Sequence, residues 1–203
     1  TSFTGVMTPD GFLGGDTDAV AVMTMTTQCI DFGTGYAELG QDPEEAGRIA
    51  VEMALKMARK QADVPAEVPD IVLMAASPGS EEAVLRGIIQ VIGEDVPLVG
   101  GSVADNSVEG KWHVFADQHA LSSGVVVTTL FTHLPLGYNY ASGYRPTDKK
   151  AVITKAVGRT VYELDGKKAI DVYADWTGQK VKDLAGMAIL GASILKPVGV
   201  YNR

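Results

Sequence analysis

The segment that most constrains this chain is Ile71-Val72-Leu73-Met74-Ala75-Ala76, an unbroken apolar run followed by Ser77-Pro78-Gly79-Ser80. A run of that length with no polar interruption reads as an interior strand. From Glu81 to Ile92, Val84, Leu85, Ile88 and Ile92 recur at helical spacing, and Gly93 is a natural C-terminal stop. Val96-Pro97-Leu98-Val99 then returns as a short strand running into Gly100-Gly101-Ser102. Strand, helix and strand in this order predict a right-handed parallel βαβ unit. The expected fold class is therefore α/β: a mixed sheet with a central βαβ unit and antiparallel hairpins, plus an incomplete second lobe.

The other elements are placed around this unit. Thr1 to Gly15 is turn-rich. Ala19 to Thr26 reads as a buried strand and Cys29 to Tyr36 as a second, and the short link between them predicts an antiparallel hairpin. Asp42 is a helix N-cap, with Pro43 at the first helical position and Glu45 at capping-box spacing. Ala46, Ile49, Ala50, Met53 and Met57 share one face of that helix, which is expected to end near Asp63, before Pro65. Lys111 to Ala116 and Gly124 to Phe131 predict strands around a turn at Asp117–Ser123. A Tyr- and Gly-rich stretch from Pro135 to Pro146 marks a boundary. Beyond it, Ala151–Val157 and Arg159–Leu164 predict a hairpin about Gly158. Asp165-Gly166 is expected to start a helix that closes at Gly178, and Val181 to Arg203 shows no complete unit.

Composition removes several function classes. The chain has 203 residues, 25 acids and 17 bases, for a formal net charge of −8. That excess repels phosphate backbones, so no nucleic-acid partner is expected. One cysteine, Cys29, leaves no internal disulfide framework and no Cys-based zinc site. No apolar run approaches the roughly 18 residues of a membrane span. The expected compartment is the cytoplasm, with no membrane partner and no cofactor.

Chemistry is sought first at the Ser77 loop, which joins an interior strand to a helix. The first amides and the dipole of that helix face the loop, and Ser77, Ser80 and Gly79 add hydroxyls and close backbone approach. A carboxylate or small phosphate suits such a corner; a helix capped by its own Ser80 is the plainer reading. Gly100-Gly101-Ser102 follows the neighbouring parallel strand, and loops at the carboxyl ends of adjacent parallel strands share one edge. Ser77, Gly79, Ser80, Gly101 and Ser102 are therefore expected to converge, unless the glycines serve a bulge or sharp turn. Asp105 and Asn106, close by, suit an ammonium group or a turn. Thr1 would be an N-terminal nucleophile if its amine were a processed terminus. His113, His119 and His133 have no short metal spacing, though either of the first two suits a haem ligand in principle. Arg145 has the fork for a carboxylate or is a solvated charge. Cys29 fits a small hydrophobe better than a nucleophile.

Three segments together carry a family resemblance. They are Thr4-Gly5 with Pro9-Asp10-Gly11 and the Val-rich strand; Ser77 through Ala83-Val84-Leu85-Arg86-Gly87 to Gly100-Gly101-Ser102; and Val152 to Gly158 running into Tyr162-Glu163-Leu164-Asp165-Gly166-Lys167-Lys168-Ala169-Ile170-Asp171-Val172-Tyr173. They resemble FIST domains, proposed intracellular sensory modules of prokaryotic signalling proteins. The resemblance implies an N-terminal FIST-like ligand-binding domain at 1–134, a linker at 135–147 and the start of a C-terminal FIST-like domain at 148–203. Family members begin with a strand and helix before the segment matching Thr1–Gly5, so the chain is expected to be a fragment or to receive those parts from elsewhere. The family implies a non-catalytic sensor of a small-molecule ligand, an amino acid or small carboxylate, passing its signal to a histidine kinase or chemotaxis receptor. Expected ligand contacts are Ser77, Gly79, Ser80, Gly101, Ser102 and Asp105. The alternatives are the Thr1 hydrolase, a haem-based gas sensor, and an interaction module pairing through exposed edge strands.

Overall fold

The computed structural model describes residues 1–2, 4–14, 19–61, 68–107, 109–186 and 188–200. The chain divides into two compact units, Thr1–Tyr138 and Asn139–Arg203. The first is built on a four-stranded mixed sheet. Its strands are β3 (Ile30–Glu38), β4 (Ile71–Ala76), β5 (Leu98–Ser102) and β8 (Gly124–Thr132), in the order β3-β8-β4-β5. Two small ribbons accompany it: β1 (Gly5–Thr8) with β2 (Gly11–Gly14), and β6 (Val114–Ala116) with β7 (His119–Leu121). The helices are α1 (Pro43–Gln61) and α2 (Glu81–Ile92).

The βαβ unit forms as the apolar periodicity requires. β4 and β5 pair in parallel, with Met74 opposite Gly100, Ala75 opposite Gly101 and Ala76 opposite Ser102. α2 buries Val84, Gly87, Ile88 and Ile92, and Gly93 stops it at φ 83°. β8 runs antiparallel to both β3 and β4, so the sheet is mixed. Asp42 caps α1, its Oδ1 accepting the Glu45 N–H at 3.0 Å.

Both helices lie on one face of this sheet. Ala50, Val51, Ala54, Leu55 and Ala58 of α1, Val84 and Ile88 of α2, and Val72, Met74, Val125 and Val127 of the sheet form one core. α1 sits unusually close to β3: a Cβ at Gly33 would strike the Ala54 carbonyl oxygen, and one at Gly35 the Ala50 carbonyl oxygen. The helices meet through the same device, since a Cβ at Gly47 would strike the Val84 carbonyl oxygen and one at Gly87 that of Glu44. Ion and hydrogen bonds then clamp the pair, with Arg86 Nε donating to Glu44 Oε2 at 3.0 Å and Gln90 Nε2 to Glu44 Oε1 at 2.7 Å. The other face of the sheet carries Phe32 and Leu73, both exposed, so the apolar run of β4 is buried deeply on one side only.

Several expectations are corrected. Ala19 to Thr26 forms no strand, and β3 takes β8 as its partner, because its register with β8 runs unbroken from Ile30–Thr132 to Glu38–Gly124. On α1, Ile49 and Met53 are 40% and 39% exposed, since the helix turns its small residues towards the glycines of β3. The turn-rich start contains the β1–β2 ribbon, turning at Pro9-Asp10. The Asp117–Ser123 turn contains β7, with Asp117 at φ 51° making a tighter reversal. Gly100-Gly101-Ser102 lies within β5, not beyond it. The expected end of α1 near Asp63 lies outside the described residues.

The second unit contains β9 (Ile153–Val157), β10 (Thr160–Leu164), β11 (Lys167–Lys168), α3 (Ala169–Thr177), a 3-10 turn (Val181–Leu184) and α4 (Ala188–Leu195). The hairpin about Gly158 is present. Asp165-Gly166 starts no helix; it turns β10 into β11, with both residues at positive φ, and α3 begins at Ala169. The tail, for which no unit was expected, supplies α4, and Ala192 joins Tyr173, Ala174 and Leu184 in a small core. Among the described residues, no helix is long and apolar enough to cross a membrane.

The close approach at Gly87 yields a test with opposing terms. Gly to Ala inside a helix ordinarily gains up to about 1 kcal/mol. At Gly87 the added methyl meets backbone, and overpacking costs about 1–3 kcal/mol. Gly87→Ala is therefore expected to lower the urea midpoint of unfolding. Gly191→Ala in α4, with open space around it, should not lower it.

Candidate functional site

The rim at the carboxyl ends of β4 and β5 is where the expected ligand residues meet. Ala76 and Ser102 are paired in register, so the chain leaves both strands at one level. Val103 N–H donates to Ala76 O at 2.9 Å and prolongs the pairing by one step. α2 starts directly above, with Glu81 and Glu82 in its first turn.

Each expected ligand residue has a definite place. Ser77 is 3% exposed. Its N–H donates to Gly124 O at 2.8 Å, and its Oγ accepts the Gly124 N–H at 3.0 Å. Its hydroxyl also donates to Ser122 O at 3.4 Å. These bonds fasten the end of β4 to the start of β8, and they commit the side chain to the fold. Gly79, at φ 112°, points its N–H at Glu81 Oε2, 2.9 Å away. The Ser102 hydroxyl donates to the other oxygen of the same carboxylate, Glu81 Oε1, at 2.5 Å. Ser80 makes no side-chain cap bond to α2; only its carbonyl serves, accepting from Ala83 and Val84. Gly101 has open space where a side chain would stand. Gly100 is at φ 147°, and a Cβ there would strike Met74 O, so this glycine answers a packing need.

Thus the two corners do converge, and what joins them is a carboxylate of the chain itself. Glu81 escaped the sequence reading because a first-turn glutamate is ordinary helix chemistry. The available signal was its spacing: two residues after a loop glycine, on the helix that bridges to a strand ending in serine.

Asp105 is nearly buried and fully engaged. Its Oδ1 accepts from the Ser107 hydroxyl and the Glu109 N–H, and its Oδ2 from the N–H groups of Gly110 and Lys111. Burial acts to raise its pKa, but the four donors outweigh it and hold the carboxyl down to about 2. This carboxylate organises the loop from 105 to 111, which is the turn role among its two readings. Asn106 Oδ1 accepts the Thr4 N–H at 2.8 Å and so anchors the start of the β1–β2 ribbon.

The residues of the alternative readings are also placed. Thr1 Oγ1 accepts the His113 N–H at 2.9 Å, Thr1 N donates to His113 O at 2.7 Å, and Ala104 N–H donates to Thr1 O. The Thr1 hydroxyl and nitrogen are both used in pairing with the chain at His113. The His119 ring lies 4.8 Å from that of Tyr36, the His113 ring stacks on Phe115, and His133 is exposed. Among the described residues, no group of three His, Cys, Asp or Glu side chains is set to hold a metal ion. A cleft of about 320 Å³ lies away from the rim, lined by Asp42, Glu44, Glu45 and Gln90. Cys29 is exposed, not the small buried residue expected.

Two substitutions separate fold from site here. Ser77→Ala leaves the buried Gly124 N–H without its acceptor and is expected to cost about 1–3 kcal/mol in chemical unfolding. For Asp105 the folded pKa, about 2, lies below its ordinary 3.8. Its contribution is complete above pH 3.8 and fades as pH falls through 2. Asp105→Asn should thus be less stable than the parent at neutral pH. The gap between their unfolding midpoints should narrow between about pH 4 and pH 2.

The chain has likenesses to known proteins. An uncharacterized protein of Methanocaldococcus jannaschii, MJ1623, is 33% identical over 97 residues, which are 47% of this chain and 19% of that protein. The chain therefore spans about a fifth of this relative's length. Among solved structures, a point mutant of M. jannaschii FtsZ matches with a TM-score of 0.32 at 18% identity, over 52% of this chain and 28% of that one. An FtsZ-like protein of unknown function from Nostoc punctiforme matches with a TM-score of 0.23 at 18% identity, over 51% of this chain and 93% of that one. The FIST N domain family model matches residues 1–167. The chain belongs to the FIST family, sensory domains found in signal transduction proteins.

Proposed function

We propose that this module senses a small carboxylate, an amino acid being the leading candidate, at the rim formed by Gly79 and Ser102. One observation carries the reading: the Gly79 N–H and the Ser102 hydroxyl already grip a single carboxylate, that of Glu81, through its two oxygens. Donors arranged around one carboxylate suit another of the same shape. Gly79 and Ser102 are the contacts retained from the expected set, with Glu81 added as the group to be displaced. Ser77 fastens the end of β4 just before Gly79, and Asp105 folds the loop from 105 to 111.

This arrangement supplies a two-state element. With Glu81 seated, the N-terminus of α2 is tied to the end of β5. With a guest carboxylate seated, Glu81 is released and that tie is broken. A ligand shifts an equilibrium only by its differential affinity for two states, and the exchange provides such a difference. The signal would pass to a partner of the histidine-kinase or chemotaxis-receptor type. No catalytic step is needed.

The test is a thermal-shift panel of amino acids and small carboxylates. At least one should raise the melting temperature of the parent. Glu81→Gln weakens the internal competitor and should enlarge that rise, whereas Ser102→Ala removes a donor and should diminish it. A panel that leaves both the parent and Glu81→Gln unmoved overturns the proposal.

A further inference from the structure

In the second unit, charges oppose one another in register and yet do not pair. On β10, Glu163 stands opposite Lys155 of β9 and Lys168 of β11. Directly opposed residues share a face, and opposite charges so placed ordinarily attract one another. Among the described residues, Glu163 makes no ion pair with either lysine, and neither ammonium group has another ion-pair partner. All three line a cleft of about 390 Å³, a size that takes small ligands.

The strand is irregular at this point, and the irregularity adds apolar wall. Val161, Tyr162 and Glu163 are consecutive, and in a regular strand the middle one would face away. All three line the cleft. The register shows why: Val161 pairs with Ala156 and Glu163 with Lys155, so Tyr162 is an extra residue on β10. Such a bulge re-aims side chains and is frequent next to active sites. Val161 and Tyr162 are exposed. Ile170 also lines the cleft and packs against the small core of Tyr173 and Ala174.

We infer that this cleft is a second binding site, for a small monocarboxylate with a compact apolar body, aryl or branched alkyl. Two ammonium groups against one carboxylate leave the cleft with a net positive charge, on a chain whose formal net charge is −8. A guest carboxylate neutralises it, and Lys155 and Lys168 supply the donors. Val161, Tyr162 and Ile170 take the apolar body out of water. Glu163 repels a second negative charge and so disfavours dicarboxylates and phosphates. The site is independent of the rim at Gly79 and Ser102: ammonium groups do the holding here, a backbone N–H and a hydroxyl there.

Benzoate is the probe, titrated into the full chain and followed by NMR at the backbone amide of Ile170. A saturable displacement is expected, and none with benzyl alcohol or benzylamine, which share the ring and lack the carboxylate. Lys168→Gln should weaken benzoate about tenfold, as should Lys155→Gln. Glu163→Gln should tighten it. Lys167→Gln removes the same charge from the next residue of β11, which takes the opposite face, and should leave the affinity unchanged. The Gly79 amide reports the rim in the same titration, so failure at one site is read apart from failure at the other. An Ile170 amide unmoved by benzoate, equal displacement by benzyl alcohol, or equal losses in Lys167→Gln and Lys168→Gln would each overturn the inference.

Discussion

The contact of glycine with helix backbone at β3 governs the placement of nearly everything else. Because Gly33 and Gly35 carry no side chains, α1 rests with its Ala50 and Ala54 carbonyls directly on the strand. Gly47 and Gly87 repeat the contact between α1 and α2. Each approach removes surface from water over a close-packed area without any large side chain. With α1 fixed on β3, and α2 fixed on α1 and held by Glu44, the start of α2 has little freedom. It stands over the ends of β4 and β5, and Glu81 reaches Ser102 without spanning a gap.

The rim is thus a consequence of core geometry, and its polar groups fall into two kinds. Ser77, Asp105 and Asn106 are spent on the chain: one fastens β8, one folds the 105–111 loop, and one seats the β1–β2 ribbon. The Gly79 N–H and the Ser102 hydroxyl both donate to a glutamate at the helix start, the contact that the proposed guest would exchange. The division follows burial. Ser77 is sealed beneath the strand ends, whereas Ser102 lies at the surface.

What the sequence made legible was whatever had a single strong period. β4, α2 and β5 were readable because an unbroken apolar run and a 3.6-residue pattern leave few alternatives. The cap at Asp42 and the hairpin at Gly158 were readable from turn chemistry. The orientation of α1 was not, since Ile49 and Met53 outweigh alanines in any apolar pattern, while close packing prefers the alanines. Ala19–Thr26 has a strand's composition, but composition does not decide whether an edge is occupied. Of the site, convergence of the Gly79 loop with Ser102 was legible from parallel topology. Its occupation by Glu81 was not, because that depends on a side-chain reach only the packed helices define.

The central claim is that the grip on Glu81 is exchangeable. It is tested most directly by following the backbone amide resonance of Gly79 by NMR through a titration with the small carboxylate panel. A saturable displacement of that resonance, reached at lower concentration in Glu81→Gln, is the result this account requires. A Gly79 amide that stays fixed in both proteins while every carboxylate is taken to high concentration would contradict it.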